Sequence, residues 1–334
     1  MGYKIKFGII GCSNVARKTT IPAIADSNNA KLSRIGSRSI ERAEEYASTF
    51  NCDKYGSYEE VLDDKNVDAV YISLPTSLQE EWTIKAAKNG KHILCEKSAS
   101  ISYKSAKNMV EAAKKNNVRI LEAFMFRFHP QHKKFLELLA SDIVGKFSVF
   151  EGRFGYPLTN KTGFRFNNEL GGGVLNDNGC YLVSASRMIL QDEPYGIMAN
   201  LIVDQETGVD IHGSFYFIFP NNKVALCSFG YENIYQSNYS IWGSKSIIST
   251  ERAFSIKPNN DSIIWIKSDT TTNKVQIPWV NQSRLMIDEF SKSIIDKDNG
   301  SFSYEEDLLL QARAMEGIRI SHKEKRFVQL NEIN

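Results

Sequence analysis

In KHILCEKSAS, residues 91–100, a carboxylate and an ammonium stand side by side: Glu96 and Lys97 follow the apolar run His92 to Cys95. A run that short, between turn signals, reads as a buried strand, so the pair closes a strand. Ligands of open α/β sheets bind outside the carboxyl ends of the strands. An ammonium there either faces a bound ligand, where it could stabilise negative charge, or makes a surface ion pair with its neighbour. Position alone leaves both readings open.

Three other strand ends bear on the choice. The run Ile5 to Ile10 enters Gly11-Cys12-Ser13-Asn14-Val15-Ala16, which approximates the dinucleotide fingerprint G-x-G-x-x-G/A. Ser13 replaces the second glycine, and its hydroxyl could donate to a phosphate. The other reading is a tight strand-to-helix turn. The second strand ends at Gly36-Ser37-Arg38-Ser39, with Arg42 one helical turn on. An NAD site usually has an acidic residue here, whereas two guanidiniums suit a 2′-phosphate, so NADP(H) is favoured and NAD(H) remains possible. Arg38 and Arg42 could equally be solvated surface residues. A third strand ends in Ser73-Leu74-Pro75-Thr76-Ser77.

The elements that must position these groups follow from hydrophobic period. Short apolar runs (Ile5 to Ile10, Leu32 to Gly36, Ala69 to Leu74, His92 to Cys95, Val118 to Leu121) alternate with helical patterns at Ile40 to Phe50 and Thr83 to Asn89. Gly90 suits a helix terminator, and Ser57-Tyr58-Glu59-Glu60 suits a capping box. The alternation predicts a doubly wound α/β domain. After residue 145 come alternating segments: Phe215, Phe217 and Phe219, then Asn221-Asn222, then Val224 and Leu226, the pattern of an antiparallel hairpin. Helical patterns return at Ser283 to Asp296 and Tyr304 to Ser321. The expected division is a dinucleotide-binding domain over 1–125 and an α+β domain over 126–334, whose final helix could pack back on the first.

At 334 residues, with 42% hydrophobic and 24% charged residues, the chain has the composition of an ordinary globular protein of two domains. Its 41 basic and 39 acidic residues nearly cancel and form no basic cluster, which argues against nucleic acid. The apolar segments are short and no signal peptide is evident, so a cytoplasmic protein without a membrane partner is expected. Five scattered cysteines fit reduced thiols, and five histidines in no ligand spacing speak against a metal.

The segments GIIGCSNVA, SRSIERAEEYA, VYISLPTSLQEEWTIKAAKNGKHILCEKSAS, EAFMFRFHPQ and ELGGGVLNDNGCYLVSASR, in this order, resemble the glucose-fructose oxidoreductase, inositol dehydrogenase and rhizopine catabolism (Gfo/Idh/MocA) family over essentially the whole chain. The resemblance implies a Rossmann domain followed by an α+β domain with a large, mainly antiparallel open sheet. It implies that Lys97 is the active-site lysine, with Glu96 contacting or orienting the cofactor. It implies that Asp177 and Tyr181 belong to the catalytic centre, the tyrosine handling the proton. Their interval of four places them on one face of a helix. Tyr181 could otherwise be a packed core tyrosine. Cofactor contacts are implied along Gly11 to Ala16, at Ser37, Arg38 and Arg42, and at Leu74, Pro75, Thr76 and Gln79. Arg127 could bind substrate hydroxyls or a phosphate. Arg165 could face substrate or join an ion pair, and His129 reads as structural. The chain departs from the family pattern at Ser13, at Gln79, where many members have histidine, and at Ser98, where many have proline.

The implied activity is hydride transfer between nicotinamide and a sugar-like carbonyl or carbinol, foremost the reduction of a keto-sugar that could be nucleotide-linked. Oxidation of a dihydrodiol, polyol or inositol is the alternative, and an NADP-sensing regulator without turnover is a third reading. Retention of both Lys97 and Tyr181 favours an enzyme. The expected partners are a small carbohydrate or polyol and a second copy of the chain, as a homodimer or homotetramer.

Overall fold

The computed structural model describes residues 3–158, 160–297 and 303–334. The chain divides into two compact units, Met1–Met125 with Asn281–Leu309, and Phe126–Val280 with Leu310–Asn334.

The first unit is built on six parallel strands: β1 (Ile5–Ile10), β2 (Ala30–Gly36), β3 (Tyr55–Gly56), β4 (Ala69–Ile72), β5 (His92–Cys95) and β6 (Ile120–Glu122). Their order is β3-β2-β1-β4-β5-β6, so the chain winds to one side of β1 and then to the other. The point of reversal, between β1 and β4, is where such sheets leave a binding crevice. All four residues of β4 are buried, as expected of a strand covered on both faces. Helix ends follow the expected chemistry. Ser57 accepts the Glu60 amide at 3.2 Å while the Glu60 carboxylate accepts the Ser57 amide at 2.7 Å, and Gly90 ends its helix at φ +69°. That helix, Thr76–Lys88, starts a full two turns before the apolar pattern suggests. Its buried face includes Thr76, Gln79 and Thr83, so polarity hides the period.

Residues Asn281–Leu309 lie in the 126–334 block of the sequence yet group with the first unit. Phe290 packs its ring 6.4 Å from that of Phe7 in β1, Asp288 accepts the Ser27 hydroxyl at 2.5 Å, and Glu305 accepts from Arg119 at 2.9 Å. A helix with an apolar stripe docks wherever a sheet offers an uncovered face, whatever its place in the chain.

The second unit is a nine-stranded sheet with helices. Its strands are β7 (Phe147–Tyr156), β8 (Gly196–Val203), β9 (Asp210–Phe219), β10 (Lys223–Tyr231), β11 (Gln236–Gly243), β12 (Ile247–Thr250), β13 (Ser262–Lys267), β14 (Thr272–Ile277) and β15 (Val328–Gln329), in the order β14-β13-β12-β11-β7-β10-β9-β8-β15. Among the pairs of these strands in the described residues, only β7–β10 is parallel. The β9–β10 hairpin turns on Asn221 and Asn222, both at positive φ, which asparagine tolerates. Phe215, Phe217 and Phe219 face the core, but on β10 the inward residues are Ala225, Cys227 and Phe229. Leu226, which the alternation suggests for the core, is exposed, because pairing register decides which face a strand buries.

Candidate active site

In the first unit the cofactor residues expected from sequence gather at the carboxyl ends of β1, β2, β4 and β5. Gly11 follows β1 at φ +104°, and a Cβ there would lie 2.6 Å from the Ser73 carbonyl oxygen and 2.9 Å from Leu74. No other residue fits without displacing the loop after β4. Gly11→Ala is therefore expected to destabilise the chain by about 1–3 kcal/mol and to weaken NADPH binding. Urea unfolding and cofactor fluorescence titration check this; an unchanged midpoint and affinity would refute the steric argument.

Cys12 is buried against the Gly36 carbonyl, and burial pushes its thiol up to about 11, so it packs rather than reacts. Ser13 does not present its hydroxyl as the fingerprint reading suggests. Its Oγ accepts the Ala16 amide at 3.0 Å and shares a hydrogen bond with the Ser73 hydroxyl. The serine thus caps the helix that follows and ties it to the loop after β4. Asn14 and Val15 are exposed at this helix start, and Ala16 is buried beneath it. Ser37 is buried and accepts the Ser39 amide at 3.3 Å.

Arg38 and Arg42 are exposed, and neither has a carboxylate partner among the described residues. The Arg42 guanidinium lies 5.9 Å from the Tyr46 ring centroid, and Arg17, paired with Glu45 at 2.7 Å, lies 5.4 Å from the same ring. The glycine cradle at Gly11, the exposed helix start and two cations at the end of β2 fit a dinucleotide with a 2′-phosphate.

Leu74 and Pro75 lead into the helix at Thr76. Gln79 is not on the surface of this site. It is 1% exposed, its Nε2 donates to the carbonyls of Leu74 at 3.1 Å and Ser98 at 3.3 Å, and its Oε1 accepts from the Cys95 thiol at 2.6 Å. Glu96 accepts the Tyr71 phenol at 2.5 Å, and its other oxygen accepts the Lys97 amide at 3.1 Å. Lys97 is half-buried at the end of β5, and the Lys97–Ser98 peptide bond is cis.

The second unit assembles its own set. Gly173, at φ +109°, packs so tightly that a Cβ would run into the Asp210 carboxylate. Asp210 accepts the Leu175 amide at 2.5 Å at the start of a widened helical turn, Leu175–Gly179, which continues as the helix Cys180–Leu190. Asp177 lies in the wide turn and Tyr181 in the regular helix. One oxygen of Asp177 accepts from Tyr156 at 2.5 Å, Arg165 at 2.7 Å and Tyr231 at 3.3 Å. Arg165 therefore joins an ion pair. Burial opposes its charge, and the Asp177 carboxylate more than offsets that. Burial and the same carboxylate push the Tyr231 phenol upward.

Tyr181 is 9% exposed, with its ring among those of Phe154 at 5.2 Å, Phe254 at 5.4 Å and Phe126 at 5.6 Å. Arg127 donates to Ser184, one turn beyond Tyr181 on the same helix, at 3.1 Å. His129 caps the helix Pro130–Ala140 by accepting the Gln131 amide at 3.1 Å. Burial lowers His129 to about 4 and His132 to about 3. Both lie below the unfolded value of about 6.5, so the unfolded chain binds protons that the folded chain does not. Their stabilising contribution is present above about 6.5 and is lost as pH falls towards these values. The urea midpoint is expected to drop between pH 7.5 and pH 5, and His132→Gln to flatten that dependence; equal slopes would contradict the assignment.

Tyr71, Tyr156, Tyr231 and Asp210 were not among the residues expected from sequence. One signal does point to Tyr71: a phenol inside a wholly buried run, VYI, must find a hydrogen-bond partner. Among the described residues no group of three or more His, Cys, Asp or Glu could hold a metal ion.

Comparison with known proteins adds to this geometry. Residues 5–124 match the oxidoreductase family with an NAD-binding Rossmann fold, and residues 132–249 match the GFO/IDH/MocA C-terminal domain. The chain is 30% identical to a dTDP-3,4-didehydro-2,6-dideoxy-alpha-D-glucose 3-reductase of Saccharopolyspora spinosa over 87% of each chain. It is 32% identical to D-xylose 1-dehydrogenase (NADP(+)) 2 of Haloferax volcanii over 75% of this chain and 77% of that one. Its fold matches the crystal structure of a 3-ketoreductase from Actinomadura kijaniata in complex with NADP and TDP-benzene, with a TM-score of 0.92 and 26% identity over 95% of this chain and 98% of that one. Variants of that enzyme with one lysine and one tyrosine replaced have also been crystallised, and those two positions stand at the same interval as Lys97 and Tyr181.

Proposed function

The chain belongs to the Gfo/Idh/MocA oxidoreductase family, and from that premise we propose that it reduces the carbonyl of a nucleotide-linked keto-sugar with NADPH. It is an NAD(P)-dependent oxidoreductase acting on sugars. The observation that carries the reading is the convergence of Gly11, Arg38, Leu74 and Lys97 at the carboxyl ends of adjacent parallel strands.

Residues Gly11 to Ala16, Ser37, Arg38, Arg42 and the Leu74–Thr76 loop would hold the cofactor, with the arginines on its 2′-phosphate. When bound, the nicotinamide supplies the hydride. As hydride reaches the carbonyl carbon, negative charge builds on the oxygen, and the Lys97 ammonium stabilises it. The Tyr181 phenol donates the proton that completes the alcohol. Asp177 holds Arg165, and Arg165 and Arg127 bind polar groups of the substrate.

The outer face of the second unit supports a homodimer or homotetramer. By register, Met198, Tyr216, Leu226, Val149, Trp242 and Ile247 share one face, and Trp242 is 62% exposed. A cavity of about 660 Å³ opens there beside Met198, Tyr216 and Leu226. Glu151, Arg153, Asn200 and Lys325 line the same cavity, and a face that mixes exposed apolar side chains with charges of both signs suits a second copy. No helix among the described residues is long and apolar enough to cross a membrane, and five free, buried cysteines fit the reducing cytoplasm.

Titration with NADPH and NADH, followed by turnover on dTDP-linked 3-keto sugars and free aldoses, tests the reading. Tighter binding of NADPH and reduction of the nucleotide-linked sugars are expected. Failure to bind either cofactor would overturn the proposal.

A further inference from the structure

We propose that Tyr71 and Gln79 are positioning residues for Lys97, the first holding the residue before it and the second the residue after it. This rests on Lys97 as the group that stabilises the developing oxyanion.

Tyr71 comes from β4 and has no exposed surface, and its hydroxyl donates to one oxygen of Glu96 at 2.5 Å. The second oxygen of Glu96 accepts the backbone amide of Lys97 itself at 3.1 Å. On the other side, Gln79 is buried in the helix Thr76–Lys88 and donates to the Ser98 carbonyl at 3.3 Å. Its second donor goes to Leu74 at 3.1 Å, and its oxygen accepts from Cys95 at 2.6 Å. One residue further, the Ala99 amide donates to Glu122 of β6 at 2.9 Å. Cys95, Glu96, Ser98 and Ala99 are thus each gripped by a side chain from another element. The Ser98 carbonyl and the Ala99 amide are held directly and the Lys97 amide is held through Glu96, so these bonds together restrain the backbone of Lys97.

The amide of Gln79 is used in full by the protein: two donors on two carbonyls, and its oxygen on a thiol. A side chain so engaged acts through the loops it holds. Buried polar groups of this kind are costly to leave unpaired, so removing one partner loosens the segment rather than simply deleting a bond. Tyr71 shows the same logic: the hydroxyls of Thr20 and Ser73 also hydrogen-bond its phenol, and Glu96 accepts the phenol proton.

The test compares Tyr71→Phe, Gln79→Leu and Gln79→Glu with Lys97→Met, reading kcat, sugar KM, NADPH Kd and thermal midpoint. Misplacing a catalytic group by about 1 Å can cost up to roughly a hundredfold in rate, so Tyr71→Phe and Gln79→Leu are expected to lower kcat about tenfold or more with NADPH Kd within about twofold of wild type. Gln79→Glu is expected to add a pH limb. The neutral acid keeps one donor at low pH, while the carboxylate faces two carbonyls at high pH, so kcat falls as pH rises. Gln79→Leu, with nothing to titrate, lacks that limb. A raised NADPH Kd with unchanged kcat at saturation would make Gln79 a cofactor ligand and overturn the proposal. Wild-type kcat in Tyr71→Phe and Gln79→Leu beside an inactive Lys97→Met would overturn the positioning role alone. Wild-type turnover in Lys97→Met would overturn the positioning role together with the catalytic reading on which it rests.

Discussion

Lys97→Met is expected to lower kcat for keto-sugar reduction about a thousandfold, with NADPH still bound. Methionine keeps much of the length and apolar stem of lysine and removes only the charge. Gln79 and Glu122 hold the backbone after residue 97, Glu96 accepts its amide and Tyr71 holds Glu96, and none of these four hydrogen bonds ends on the ammonium. Stability should therefore change little, and the loss should fall on the chemical step. Stopped-flow reduction under single-turnover conditions separates the two. Rates equal to wild type would remove Lys97 from the mechanism.

Tyr181→Phe should cost about a hundredfold or more in kcat, the usual contribution of a positioned general acid. Phenylalanine preserves the ring, and the ring is what Phe126, Phe154 and Phe254 enclose. Packing, thermal midpoint and sugar KM should stay close to wild type while proton delivery is lost. If the tyrosine were only a core residue, deleting its hydroxyl would leave kcat unchanged. Measuring kcat across pH for both proteins decides between these outcomes.

Much of the first unit is legible in the sequence because parallel strands buried on both faces read as unbroken branched runs. Ile5–Ile10 and His92–Cys95 have the boundaries that their composition suggests. The capping box at Ser57 was equally legible, since both of its hydrogen bonds lie within four residues. The helix Thr76–Lys88 was not, because its buried face carries polar side chains whose partners lie elsewhere. Leu226 shows a related limit: alternation reveals that a strand has two faces, but not which one meets the core.

The candidate site divides in the same way. A lysine at the end of a buried strand and a glycine turn after β1 are local facts, and chain order brings them to one edge of the sheet. The resemblance to a family added the roles of Lys97 and Tyr181. What Ser13, Gln79 and Arg165 do is a different matter. Ser13 caps a helix and meets Ser73, Gln79 spans three segments, and Arg165 pairs with Asp177.

By itself the sequence determined the alternation of strand and helix, the doubly wound class of the first unit and the strand end that carries Lys97. Each of these follows from periodicity and turn chemistry within a dozen or so residues. Only the tertiary structure decided which polar side chains are buried and what they hold, because those hydrogen bonds join residues from separate elements and form only when packing brings the elements together.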